Sequence, residues 1–227
     1  MSAAQGPVVA VDGPSGSGKS TLSRAVARSR GWRYLDTGAM YRAVALAVLE
    51  RGADPSDTGA VVATARSLRL EPGTDPDDPR VVLDGQDVST AVRSPEVTAA
   101  VSVVAAVPEV RQLLVELQRE IAAAGGIVVE GRDIGSVVLP EASLKVWLTA
   151  DPVERARRRS AEYEAAGVAT TAAAEAGALA RRDALDAGRT ASPAVPAPDA
   201  VEVDSTSCSV PELVSLVLAE LDRRSGP

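Results

Sequence analysis

The sequence predicts an α/β fold with a mainly parallel sheet flanked by helices, and three observations carry that prediction. Short β-branched runs alternate with longer helical segments. The first run, Pro7-Val8-Val9-Ala10-Val11, opens into a glycine-rich stretch followed directly by a helix. The first two helical segments end on glycines, Gly31 and Gly52, where a helix commonly stops.

Taken in order, the first strand ends at Asp12 and Gly13, and a helix is expected from about Lys19 to Arg30. Arg33-Tyr34-Leu35 reads as a second strand and residues 39–51 as a second helix. Residues 53–95 change character. The turn-forming PGTDPDDP and the Asp84-Gly85 pair flank Arg80-Val81-Val82-Leu83, which predicts a small antiparallel hairpin unit. A helix opened by Pro108 is expected over 108–124, then buried strands at Ile127 to Val129 and Leu144 to Leu148. A cationic helix follows from Asp151 to Glu164, with Asp151 as cap, Pro152 at its first position and Glu154 at its third. Residues 165–180, rich in alanine and threonine with two glycines, read as a mobile hinged segment. The loop SPAVPAPDA, a last strand over 200–204 and a helix announced by Ser209 and Glu212 complete the chain. Residues 53–110 and 160–185 read as insertions upon the sheet.

The 227 residues suffice for one domain, or for a core with small appended subdomains. A net charge of -7 provides no overall positive field for nucleic acid or an acidic membrane, so an anionic partner must be caught by local arginines. The absence of histidine removes Ser-His-Asp and Cys-His chemistry and every histidine metal site. The single cysteine, Cys208, cannot form an internal disulfide and reads as inert packing. MSAAQGP lacks a basic start and an apolar core, so no signal peptide is expected. The apolar stretch from Val97 to Val107 is interrupted by Ser102 and closed by Pro108, too short to span a bilayer. A cytoplasmic protein with no membrane and no nucleic-acid partner is the expectation.

Immediately after the first strand stands Gly13-Pro14-Ser15-Gly16-Ser17-Gly18-Lys19-Ser20-Thr21, which fits G-x-x-x-x-G-K-[ST]. Its glycines let backbone N–H groups turn inward around phosphates, and the helix N-terminus behind adds its positive end. Lys19 would reach the β- and γ-phosphates of ATP, and the Ser20 hydroxyl would ligate Mg2+. Of 24 basic residues only two are lysines, Lys19 and Lys145. A chain that otherwise uses arginine has a lysine where a compact point charge is required. These residues predict a P-loop NTPase fold.

A second signal lies in IVVEGRDIGSVVLP, residues 127–140, where Glu130, Arg132 and Asp133 interrupt what would otherwise be a core strand. Buried charges need partners or a ligand. Arg42, Arg93, Arg111, Arg132, Arg182 and Arg189 lie near turns or element ends. Singly, each reads as solvated surface; together with a phosphate loop they suggest a clamp on a second anionic substrate. No N-K-x-D guanine-reading motif is present.

The blocks DGPSGSGKST, YLDTGAMYRA, VSVVAAVPEVR, EGRDIGSVVLPEA, ERARRR and RRDALDAGRTASP, in this order and spacing, closely resemble bacterial cytidylate kinases from about Val8 onward. The resemblance implies a nucleoside monophosphate kinase that phosphorylates CMP or dCMP with Mg-ATP, and a monomer is the expectation. It implies a core (1–38, 112–156 and 186–227), an NMP-binding insertion (about 39–111) and a lid (about 157–185). Thr37 and Arg42 then look like acceptor contacts, and Ser102 with Arg111 resembles the pair that helps hold cytosine. Arg132 looks like a phosphate ligand and Asp133 like a reader of the base. Arg182, Asp186 and Arg189 match residues that close over the acceptor sugar and phosphates, with Arg182 also on the transferring group. Among Arg155, Arg158 and Arg159 one or more would reach ATP, Arg158 being the chosen candidate, while Arg157 reads as solvated. Glu130 is open between an acid behind the magnesium water and an ion-pair partner of an arginine. The chain departs from the family over 165–180, unusually rich in alanine and poor in charge, which leaves the lid contacts to ATP open. A P-loop kinase for UMP, AMP or a sugar-like acceptor, and a nucleotide-binding switch without turnover, are the rival readings.

Overall fold

The computed structural model describes residues 6–165, 167, 170–189 and 192–225. The chain divides into two compact units. The first holds residues 6–8 and 27–131, the second residues 9–26 and 132–225.

In the first unit, strand β2 (Arg33–Asp36) pairs in parallel with β6 (Gly125–Glu130), Asp36 opposite Glu130. Helix α2 (Thr37–Glu50) follows β2 without a break, because the Asp36 carboxylate accepts the Ala39 N–H at 2.9 Å and caps it. It begins two residues before the expected start. Its residues from Ala39 to Val48 are all buried, as suits a helix that is apolar nearly all round, with Arg42 the one charge among them. Helix α3 (Thr58–Ser67), unassigned in the sequence, is capped by Asp57. The hairpin unit is a three-stranded antiparallel sheet of β3 (Leu70–Pro72), β4 (Val81–Leu83) and β5 (Gln86–Asp87). Its Asp84-Gly85 turn has φ of 50° and 84°, the paired left-handed residues that a two-residue hairpin demands. After a single 3-10 turn (Ala91–Arg93), the apolar run 97–107 resolves into α4 (Pro95–Val104) and a break, and α5 (Pro108–Ala122) starts at its proline.

In the second unit, the end of β1 (Gly6–Asp12) pairs in parallel with β7 (Leu144–Thr149), and β7 with β8 (Val201–Asp204). Within this unit the hydrogen-bonded strand order is β1-β7-β8. Helix α1 (Lys19–Arg30) has its expected bounds and ends at Gly31, φ 65°. Helix α6 (Pro152–Ala165) is capped as read: the Val153 N–H donates to Asp151 Oδ1 at 2.8 Å. The expectation of a hinged segment over 165–180 is corrected for residues 172–180. Thr171 caps helix α7 (Ala172–Ala187), since alanine is the best helix former and one interior glycine does not break the run. Residues 166, 168 and 169 of that segment, and Thr190 and Ala191, lie outside the described residues. Ser209 and Glu212 form the expected capping box of α8 (Val210–Ser225), the Ser209 N–H donating to Glu212 at 2.8 Å. Cys208, read as packing, is exposed instead. Among the described residues no single helix is long and apolar enough to cross a membrane.

Candidate active site

The phosphate loop, residues 13–18, lies between the buried end of β1 and the first turn of α1, in the second unit. Lys19 sits at the start of α1, buried, and its Nζ donates to the Pro14 carbonyl at 2.7 Å, which folds the lysine back over the loop. Ser205, just past β8, braces the loop from outside: its hydroxyl donates to Ser17 O at 2.8 Å and lies 2.9 Å from Thr149 O. Arg158 donates to the Ser205 hydroxyl and carbonyl at 3.0 and 2.7 Å and pairs with Glu154 at 2.9 Å. Arg155, buried, donates to Ser15 O at 3.1 Å and pairs with Asp183 of α7, whose other oxygen accepts the Ser15 N–H at 3.4 Å. Of the three candidate arginines of α6, Arg155 and Arg158 therefore stand on the phosphate loop. Arg159 turns to Glu162 and to the ring of Tyr163, 4.6 Å from its centroid. Arg157 is exposed and paired with Glu154, as expected of a solvated position.

Arg132 joins this loop to the segment RRDALDAGR. Its Nη1 donates to Gly13 O at 2.7 Å and its Nε to Asp186 Oδ2 at 3.0 Å. Asp186 is only 2% exposed and also pairs with Arg189, while Arg182 Nε lies 4.0 Å away and its Nη1 donates to the Ser15 hydroxyl at 3.4 Å. Burial by itself would raise the Asp186 carboxyl, but Arg132, Arg189 and Arg182 outweigh it and hold the group below the usual 3.8. One carboxylate thus gathers three of the arginines singled out in the sequence.

A pH-dependent stability follows. The unfolded chain takes up the Asp186 proton more readily than the folded one, so the contribution is complete above pH 3.8 and fades as pH falls below it. Asp186→Asn is expected to cost about 3 kcal/mol at pH 7, because three cations lose their shared anion. Denaturant titrations of both proteins should show the gap narrowing by pH 3. A gap of constant size across that range would remove Asp186 as the charge centre.

The acceptor candidates Thr37, Arg42, Ser102 and Arg111 all lie in the first unit and all are buried. Thr37 opens α2 and donates to Glu130 O at 2.7 Å. Arg42 donates to Val92 O at 3.2 Å and to the Thr98 hydroxyl at 2.8 Å, so α4 and the turn before it aim its guanidinium. Arg111 donates to Ala105 O at 3.3 Å and lies over the Tyr41 ring at 5.4 Å, while Ser102 is carried on α4. Arg93, mostly exposed, pairs with the capping Asp36 at 3.2 Å. Glu130 accepts from the Tyr34 hydroxyl at 2.8 Å, a partner in neither of the two readings the sequence left open.

Sequence reasoning passed over Asp12, Tyr34, Tyr41, Asp183 and Ser205. Asp12 alone left a readable signal, a carboxylate closing an apolar strand. The side chain is buried and accepts the Ile134 and Gly135 N–H groups at 2.8 and 2.7 Å.

A parallel sheet whose first strand runs through a glycine loop into a helix, with lysine and arginines on that loop, defines a P-loop nucleotide-binding protein. The profile of the cytidylate kinase family matches residues 9–223. The cytidylate kinase of Pelotomaculum thermopropionicum is 47% identical over 216 residues, covering 95% of this chain and 96% of that one. That of Mycolicibacterium paratuberculosis is 52% identical over 208 residues, 91% of each. An uncharacterised protein from Eubacterium ventriosum, 13% identical, has the same fold at a TM-score of 0.53 over 96% of this chain and 98% of its own. The chain belongs to the cytidylate kinase family.

Proposed function

We propose that the chain transfers the γ-phosphoryl group of Mg-ATP to CMP or dCMP, yielding CDP or dCDP and ADP. Family membership supports this reading, and one observation carries it at the level of residues. Arg132 ties the phosphate loop at Gly13 to the Asp186 cluster, so donor loop and arginines form one assembly. The acceptor phosphate is already anionic, so one of its oxygens can attack without a general base. A bond forms from that oxygen to the γ-phosphorus as the bond to the bridging oxygen of ADP breaks. Alignment and charge neutralisation then supply the catalysis.

In this reading backbone N–H groups of residues 13–18 cradle the ATP phosphates together with Thr21, Lys19 neutralises the β- and γ-groups, and Arg158 assists from α6. Arg42, Arg132, Arg182 and Arg189 bind phosphate, Thr37 and Asp186 the acceptor beside it, and Ser102 with Arg111 the base. Asp133 accepts the exocyclic amine of cytosine, where uracil presents a carbonyl instead. The residues fit magnesium. Ser20 is exposed on the first turn of α1, and no group of three or more acidic or thiol side chains able to hold a metal occurs among the described residues. A lone hydroxyl beside nucleotide phosphates suits a cation that keeps several waters. Bound there with ATP, magnesium supplies charge neutralisation at the phosphates. The two nucleotides are the partners; a monomer with neither nucleic acid nor membrane completes the reading, in keeping with the acidic net charge of -7. Core, NMP-binding insertion (about 39–111) and lid (about 157–185) are the divisions that go with it.

ADP release with Mg-ATP and CMP, dCMP, UMP or AMP in turn tests this. Turnover with CMP and dCMP is expected to exceed that with UMP by at least about tenfold, roughly one missing hydrogen bond to a charged group. Comparable rates with UMP would sink the base-reading role of Asp133, and a preference for AMP or a sugar-like acceptor would replace the substrate. ATP binding with no acceptor-dependent turnover would favour a nucleotide switch.

A further inference from the structure

Asp12 is placed where a carboxylate is costly. It closes strand β1, is 5% exposed, and faces the like charge of Asp133. Burial, with Asp133 adding to it, raises its carboxyl to about 6 in spite of the opposing Gly135 and Ile134 N–H groups and Lys19. A group kept under those conditions needs a task that a neutral side chain cannot perform.

Its two oxygens show the task. Oδ1 accepts the Ile134 N–H at 2.8 Å and Oδ2 the Gly135 N–H at 2.7 Å. These are the first two residues of the single π-helical turn Ile134–Val138, immediately after Arg132 and Asp133. Next to Asp12 in the chain, the Gly13 carbonyl accepts Arg132 Nη1 at 2.7 Å. Asp12 at the end of β1 and Gly13 at the start of the donor loop thus grip both ends of the segment 132–135. The Lys145 methylenes approach so closely that a Cβ on Gly135 would lie 3.1 Å from them. Asp12 holds the start of the turn that follows Asp133 through both of its oxygens. Asparagine could satisfy only one of the two N–H groups and would turn an N–H donor on the other.

We propose that Asp12 is the positioning residue that sets Asp133 and Arg132 in register with the phosphate loop, and that it thereby governs discrimination between CMP and UMP. The inference rests on the reading of Asp133 as the group that accepts the cytosine amine. Asp12 touches neither nucleotide in this account; it acts through the two backbone N–H groups.

The test compares Asp12→Asn with Asp133→Asn in the full chain, reading kcat and KM for CMP and UMP and the affinity for ATP. Asp12→Asn is expected to lower kcat/KM for CMP by at least about tenfold and the CMP-to-UMP ratio by about fivefold, with ATP affinity within about threefold of the parent. A ratio that stays constant in Asp12→Asn while it collapses in Asp133→Asn overturns the proposal alone. A constant ratio in Asp133→Asn sinks the reading of Asp133, and the proposal with it. A loss of ATP affinity as large as the loss toward CMP would make Asp12 a part of the phosphate loop and also overturn it. Should Asp12→Asn fail to fold, the parent chain supplies a second measurement. The amide protons of Ile134 and Gly135 should shift together with a single midpoint as pH is varied, reporting the one carboxylate they share. Two midpoints that differ, or amides that do not respond as the carboxylate is titrated, would overturn the proposal.

Discussion

Replacing Lys19 with alanine is expected to lower kcat by on the order of 10²–10³, the range found when one preorganised charge-stabilising donor is removed. The lysine is the compact cation of the loop, buried at the start of α1 with its Nζ held 2.7 Å from the Pro14 carbonyl. On the proposed function, a charge already held at the loop needs little reorganisation as charge builds on the transferring phosphoryl group. The substitution leaves the three loop glycines and the Ser205 brace in place, so the folded state should persist with a Tm within about 3 °C of the parent. Arginine at the same position should not restore the rate, since its planar fork cannot occupy the space of a point charge. ADP release at saturating ATP and CMP measures the effect. Turnover within about threefold of the parent would remove Lys19 from the transfer step.

Gly13→Ala should act on folding instead of chemistry. The residue has a φ of 146°, and a Cβ there would lie 2.1 Å from the Leu148 carbonyl oxygen and 3.0 Å from its carbon. The obstacle is backbone of strand β7, which is paired on both sides and cannot swing aside as a flexible side chain would. Strain at an unfavourable φ and the overpacking together should cost about 3 kcal/mol or more, a large share of a stability of about 5–15 kcal/mol. At about 2–4 °C per kcal/mol for a chain of this size, Tm should fall by roughly 10 °C. ATP affinity should fall as well, because Gly13 O is where Arg132 docks. Thermal unfolding that shifts by less than about 2 °C would show that the strand yields more easily than its pairing implies.

The parts of this protein legible in its sequence share one property: each is a local pattern of backbone and spacing. The phosphate loop, the caps of α6 and α8 and the Asp84-Gly85 turn depend on residues within a few positions of one another, and each is found where it was read. The alanine-rich stretch before Asp186 failed locally too. Its glycine and threonine content suggested a hinge, whereas a threonine cap followed by a run of helix formers that tolerates Gly177 produces α7. Helix α3 escaped notice because its ten residues bury only Val61 and Thr64, leaving almost no apolar stripe to detect.

By itself the sequence determined the P-loop chemistry, the alternation of strands and helices, and the resemblance of six ordered blocks to one kinase family. The tertiary structure alone decided which charge answers which. Arg132 meets Asp186 across 54 positions, Tyr34 meets Glu130 across 96, and Asp12 meets the Ile134 N–H across 122. Periodicity and capping are set by neighbours in the chain, but a buried charge is matched by whatever group the crossing of distant elements brings within about 3 Å. No local pattern encodes that meeting, and the partners of these charges emerge only once the strands have paired.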